Sequence, residues 1–249
     1  MKLGWLTDIH LCFINTEKAI EIMRNFISEH SLDGLIISGD IECVEDLILL
    51  NVPIFFVLGN HDFYGSDIES RREKMNVPTY LTKSNPIFIK ERTVLTGEDG
   101  WYDMRAGNWK HTTVRLNDFF QIKDFDPWQW DDIILRCRIL VVEAVNRLKL
   151  KIDSILEKAD EIYIVTHVPP FIDASWHSGK ISSNDYLPFF TSISMGEYLL
   201  NLARDHEEKK FVVLCGHTHG SGVYNAAKNL IVYTGKANYG EIFLSGVIE

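Results

Sequence analysis

The sequence predicts an α/β fold built on a parallel sheet with crossover helices. Three observations carry that expectation. Hydrophobic residues make up 46% of the 249-residue chain, enough for a substantial core. From Lys2 to Leu58, short apolar runs alternate with helical stretches. Each apolar run then stops at a polar residue, as a buried strand does at its carboxyl end.

Residues 2–7 (KLGWLT) form the first strand, which stops at Asp8. Residues 15–30 fit a helix with Ala19, Ile22, Met23, Phe26 and Ile27 on one stripe. Residues 35–38 (LIIS) form a second strand ending at Gly39-Asp40, 42–51 a short helix, and 54–58 (IFFVL) a third strand ending at Gly59-Asn60. Residues 86–90 and 92–96 read as two further strands. Residues 98–132 carry Trp101, Tyr102, Trp109, Phe119, Phe120, Phe125, Trp128 and Trp130 with no clean period, an aromatic-rich insertion in a single domain of residues 1–249. Ile134, Cys137, Val141, Val145, Leu148, Ile152, Ile155 and Ala159 recur at helical steps and predict a long amphipathic helix, with room for a break. Residues 162–166 form a strand ending at His167, 171–194 a loop, 195–205 a helix, and 211–215 a strand ending at Gly216-His217. Residues 230–234 and 241–247 close the chain as strands.

A net charge of −10 and a pI near 5.4 argue against a nucleic-acid partner, which calls for a basic surface. The longest uncharged apolar stretch, 47–60, holds a proline and is too short to span a membrane. None of the four cysteines forms a CxxC pair, and the opening MKLGWLTDIH does not read as a signal peptide. Reduced thiols and a cytoplasmic location are the expectation.

Five of the strand-like runs end on metal-competent residues: Asp8 and His10, Asp40, Asn60 and His61, His167, and His217 and His219. In open α/β sheets ligands bind beyond the carboxyl ends of the strands, so these groups should converge on one edge. They offer carboxylate, imidazole and amide oxygen without thiolate, a mixture that suits Mn, Fe, Zn or Ni. The set exceeds what one ion needs. Two ions sharing a carboxylate would use it, and such pairs commonly serve displacement at phosphorus.

The motifs D-I-H (8–10), G-D (39–40), G-N-H-D (59–62), the lone His167 in THVPP and G-H-T-H (216–219) make the chain resemble the calcineurin-like metallophosphoesterases. All five occur in that family's order. The resemblance implies a four-layer α/β/β/α sandwich of two mixed sheets flanked by helices. It also implies that Asp8, His10 and His219 hold one metal, that Asn60, His167 and His217 hold the other, and that Asp40 bridges them. His61 would face the substrate as a general acid or phosphate contact. The implied reaction is hydrolysis of a phosphomonoester or phosphodiester of a small molecule, by in-line attack of a metal-bridging hydroxide. A nuclease of the same superfamily and a catalytically silent scaffold are the competing readings.

Asp62 either orients His61 or caps the turn. The protein-phosphatase branch reads G-D-x-x-D-R-G at the second motif, where this chain has Cys43 for the second Asp; it also lacks an Arg before Gly59. Both departures argue against a Ser/Thr protein phosphatase. Cys12 either edges the pocket or is a small buried hydrophobe, the reading favoured by the usual burial of free cysteine. Most of the aromatic segment reads as packing, with Trp101, Tyr102 and Asp103 as its lid candidates. Trp176, His177, Asn184 and Tyr186 lie in the loop after His167 and are candidate substrate contacts.

Overall fold

The computed structural model describes residues 1–126 and 129–249; Trp128 lies outside the described residues. β1 (Leu3–Leu6) leads to α1 (Thr16–His30), whose first turn is capped by the Asn15 side chain accepting the Lys18 N–H. α1 returns the chain to β2 (Gly34–Ser38), parallel to β1. The next crossover is a 3-10 helix, Val44–Leu50, in place of the expected α-helix, and it delivers β3 (Ile54–Val57) parallel to β2. A 3-10 turn rises about 2.0 Å per residue against about 1.5 Å for an α-helix, which suits so short a return.

α2 (Ile68–Lys74) precedes β4 (Ile87–Lys90) and β5 (Thr93–Gly97). The aromatic segment holds a single helical turn, α3 (Asp118–Gln121), before α4 (Trp130–Asp153). α4 stops at Asp153, yet Ile155 and Ala159 stay buried in the turns that follow, so the stripe outlives the helix. β6 (Glu161–Val165) comes next. The stretch expected to be loop contains the hairpin β7 (Trp176–His177) and β8 (Lys180–Ile181), then α5 (Leu187–Phe190); α6 (Ile193–Asp205) follows. The chain closes with β9 (Lys210–Cys215), β10 (Gly222–Ala227), β11 (Leu230–Thr234) and β12 (Gly246–Ile248). β10 was not expected from the sequence, because a partly exposed edge strand carries no apolar run.

One parallel sheet becomes two mixed ones. The first has the order β12-β1-β2-β3 and the second β10-β11-β9-β6-β5-β4. The antiparallel members, β12, β10 and β4, all lie at an edge. Alternate side chains divide the apolar residues into three layers. Trp5, Ile36, Phe55 and Val57 meet Leu95, Val165, Val212 and Leu214 between the sheets. Leu6, Leu35, Ile37 and Phe56 face α1 and the aromatic segment, while Ile162, Ile164, Phe211 and Val213 face α4 and α6. The result is the four-layer α/β/β/α sandwich. Strands covered on both faces need continuous apolar runs, which is why β1, β2 and β3 read so plainly in the sequence. Truncating the fully buried Ile36 to alanine would cost about 2–5 kcal/mol. Among the described residues no helix is long and apolar enough to cross a membrane.

Candidate metal centre

Backbone hydrogen bonds lock together the loops that leave β1 and β2: Asp8, His10 and Leu11 donate to the carbonyls of Gly39, Asp40 and Ile41. Asp8, His10, Asp40, His217 and His219 all adopt positive φ, between 41° and 70°. Such left-handed geometry costs a non-glycine residue free energy, and here it turns five polar side chains inward. Gly216 allows the loops to close, since a Cβ there would collide with the Thr7 hydroxyl and the Asp8 carboxylate.

The side chains form two groups around Asp40. In the first, the Nε2 atoms of His10 and His219 lie 3.2 Å apart, with Asp8 Oδ1 3.5 Å from His219 and Asp40 Oδ2 3.9 Å from His10. Donor atoms of Asp8, His10, Asp40 and His219 all fall within 4.8 Å of one another. In the second, His167 Nε2 lies 3.0 Å from Asn60 Oδ1, 3.4 Å from Asp40 Oδ1 and 3.2 Å from His217 Nδ1. Asp40 thus presents one oxygen to each group.

The outer contacts fix which atoms face inward. His167 donates its Nδ1–H to the Ser38 carbonyl at 2.9 Å, and His217 its Nε2–H to the Phe189 carbonyl at 2.9 Å. A carbonyl only accepts, so the remaining nitrogen of each ring carries a lone pair toward the other. His10 donates Nδ1–H to Glu42 at 3.0 Å. Asn60 donates its amide N–H to Asp118, which turns its oxygen toward His167. Lone pairs this close repel unless a cation lies among them, so the donor set fits divalent ions. Without one, a proton serves. Burial lowers the His167 pKa, but Asp40 beside it prevails and raises it to about 10. Burial, reinforced by that charged neighbour, drives His217 down to about 3. Burial raises Asp40, yet the surrounding imidazoles hold it well below the usual carboxylate range.

His61 stands at the mouth. Its backbone N–H donates to Asp40, its ring stacks on Tyr64, and its Nδ1–H donates to Glu42 at 3.2 Å. Burial lowers its pKa, but Asp40 and Glu42 overcome this and raise it to about 9. Burial likewise raises Glu42, while hydrogen bonds from His10 and His61 bring it to about 2. Glu42, not Asp62, therefore orients His61. Asp62 is buried and accepts the backbone N–H groups of Ile41, Glu42 and Gly59, so it ties the second and third motif loops together. Those three donors, and not the His61 ring, take up its carboxylate.

Trp101 and Tyr102, two of the lid candidates, are buried in the layer beneath the site. Large aromatics with no period packed an irregular segment rather than covering a cleft. Tyr102 stacks on His217 and donates to Asp118. Trp176 lies under Gly222, where a Cβ would collide with its indole ring. His177 does line the cleft of about 300 Å³ over the centre and contacts the Thr218 carbonyl. Asn184 and Tyr186 do not line it. Cys12 is exposed, against expectation, with its sulfur 3.3 Å from that of Cys43.

Sequence reasoning missed three acids. Glu42 follows Asp40 by two residues, a usable signal. Asp118 accepts from Asn60, Tyr64 and Tyr102. Asp99 accepts the Leu58 N–H and the side chains of Arg72, Tyr80 and Thr82, while its carbonyl takes the His167 N–H, so it positions two motif loops at once. No local pattern marks either of the last two.

The sequence profile of the calcineurin-like phosphoesterases matches residues 1–221. The chain belongs to that family. None of the curated proteins compared with it by sequence matches. Among solved structures, a dimetal phosphatase from Danio rerio is 13% identical, with 95% of this chain and 87% of that one covered at a TM-score of 0.59. A protein of Thermus thermophilus is 14% identical, with coverage of 94% and 88% and a TM-score of 0.52. The anchor protein of the Plasmodium inner membrane complex is 16% identical, with coverage of 99% and 79% and a TM-score of 0.50. At these identities the likeness is one of fold.

Proposed function

We propose that this family member is a dinuclear-metal phosphoesterase that hydrolyses a phosphomonoester or phosphodiester bond of a small molecule. The observation that carries the reading is Asp40, whose two oxygens face two separate donor groups, each with its ring nitrogens fixed by outer hydrogen bonds. Asp8, His10 and His219 would hold one ion and Asn60, His167 and His217 the other. Bound ions of Mn, Fe, Zn or Ni would supply a water-derived nucleophile at neutral pH and offset the negative charge of the phosphate.

The chain's own residues do the rest. Asp8 and Asp40 bring negative charge to a donor set that otherwise offers imidazole and amide. The protonated His61, 17% exposed and aimed into the same cleft, gives its proton to the departing oxygen. Glu42 holds that ring in place. The acidity of the whole chain disfavours a nuclease, and the complete donor set disfavours a silent scaffold.

Reconstitution with each metal, followed by assay on p-nitrophenyl phosphate and bis(p-nitrophenyl) phosphate, tests the proposal. Metal-dependent release of p-nitrophenol is expected. Absence of turnover on both esters, with metal bound, overturns it.

A further inference from the structure

A second groove, of about 750 Å³, opens beside the metal centre and shares His61, Tyr64, Asn117 and Tyr239 with its cleft. His61, the residue proposed to protonate the departing oxygen, belongs to both linings, so a group leaving past it would enter this groove. Its wall includes Arg71 and Lys74 from the end of α2 and Lys123 from the turn after α3. Three cations on one wall invert the local sign of a chain that carries 35 acids against 25 bases.

These cations are free to act. Lys74 and Lys123 make no ion pair among the described residues. Arg71 donates one N–H to the Glu42 carbonyl at 3.1 Å, and its nearest carboxylate, on the exposed Glu45, is 3.9 Å away. Its Nε is shielded from water and has no partner. The acids nearby are occupied: Glu42 by His10 and His61, Asp62 by three backbone N–H groups, and Asp67 by the cap of α2. The groove's other boundary is aromatic. Phe13 and Tyr239, each about half exposed, lie with ring centroids 4.7 Å apart and also line it. Exposed flat rings beside two unpaired lysines and a weakly paired arginine form a surface for a base and a phosphate.

We infer that this groove is a subsite for the departing part of the substrate, and that this part carries both an aromatic base and a phosphate. The substrate class is then a nucleoside di- or polyphosphate: water adds to the phosphorus at the metal centre, the phosphoanhydride P–O bond breaks, and a nucleotide leaves, which extends the ester chemistry to an anhydride. The inference rests on the phosphoesterase reading for its chemistry but not for its binding, which the groove provides alone.

Titration of metal-free protein with AMP, adenosine and ribose 5-phosphate separates the two. AMP should bind at least tenfold more tightly than either fragment, and more weakly as salt rises. The R71Q/K74Q/K123Q variant should weaken AMP at least tenfold while adenosine changes little. Equal AMP affinity in variant and parent, or ribose 5-phosphate binding as well as AMP, overturns the subsite. In metal-loaded protein, kcat/KM for phosphate release from ADP should fall at least tenfold more in the variant than kcat/KM for p-nitrophenyl phosphate; equal falls overturn it too. If no ester is cleaved, the phosphoesterase reading fails, and the AMP titration still decides the subsite.

Discussion

The two halves of the metal centre are built differently. The half around His167, His217 and Asn60 is sealed: its rings lean on the carbonyls of Ser38 and Phe189, and its amide on the buried Asp118. In the half around His10 and His219, His10 is buried but His219 reaches the surface. The His219 side chain is 21% exposed and packs on Tyr239, and His10 leans on Glu42, whose one oxygen also receives His61. Rigid carbonyls and a buried carboxylate suit a half that holds its ion. A shared carboxylate that keeps some contact with water suits a half coupled to proton movement.

Three changes probe that contrast. His167→Ala removes a donor from the sealed half and should have the largest effect: bound metal falls from two equivalents to one, and most turnover is lost, as read by elemental analysis and by ester hydrolysis. Asp118→Asn leaves every ligand in place but releases the grip on Asn60. It should weaken one of two metal equivalents about 10–100-fold against a competing chelator, since outer contacts typically carry that much. If both equivalents weaken together, the halves are not independent.

Glu42→Gln should have the smallest effect and a different signature. Removing that anion lowers the His61 pKa from about 9, which NMR of the metal-free protein would follow directly. The sign for stability follows. A folded pKa raised above the unfolded value near 6.5 stabilises fully below 6.5, and the gain is lost as pH climbs through 9. His167, raised to about 10, acts in the same direction. The melting temperature of metal-free protein should therefore fall between pH 6.5 and 9, less steeply in Glu42→Gln. An unchanged slope would remove Glu42 from its role.

The donor set was legible because a doubly covered strand must be apolar until it ends. Asp8, Asp40, Asn60, His167 and His217 stand where that requirement lapses. Asp99 and Asp118 were not legible, because their partners come from residues far along the chain and no spacing reports that. Trp101 and Tyr102 misled for a related reason: a segment without period reveals neither its inner face nor its outer one. The second sheet was only half visible, since β10 lacks an apolar run. The likeness of motifs, not periodicity, carried the four-layer arrangement.

The left-handed backbone at Asp8, His10, Asp40, His217 and His219 has an evolutionary consequence. Each such position costs a residue other than glycine about 1–2 kcal/mol. Glycine at any of them would relieve that cost and strip the centre of a donor. A lineage released from selection for turnover would therefore drift toward sturdier, inactive descendants.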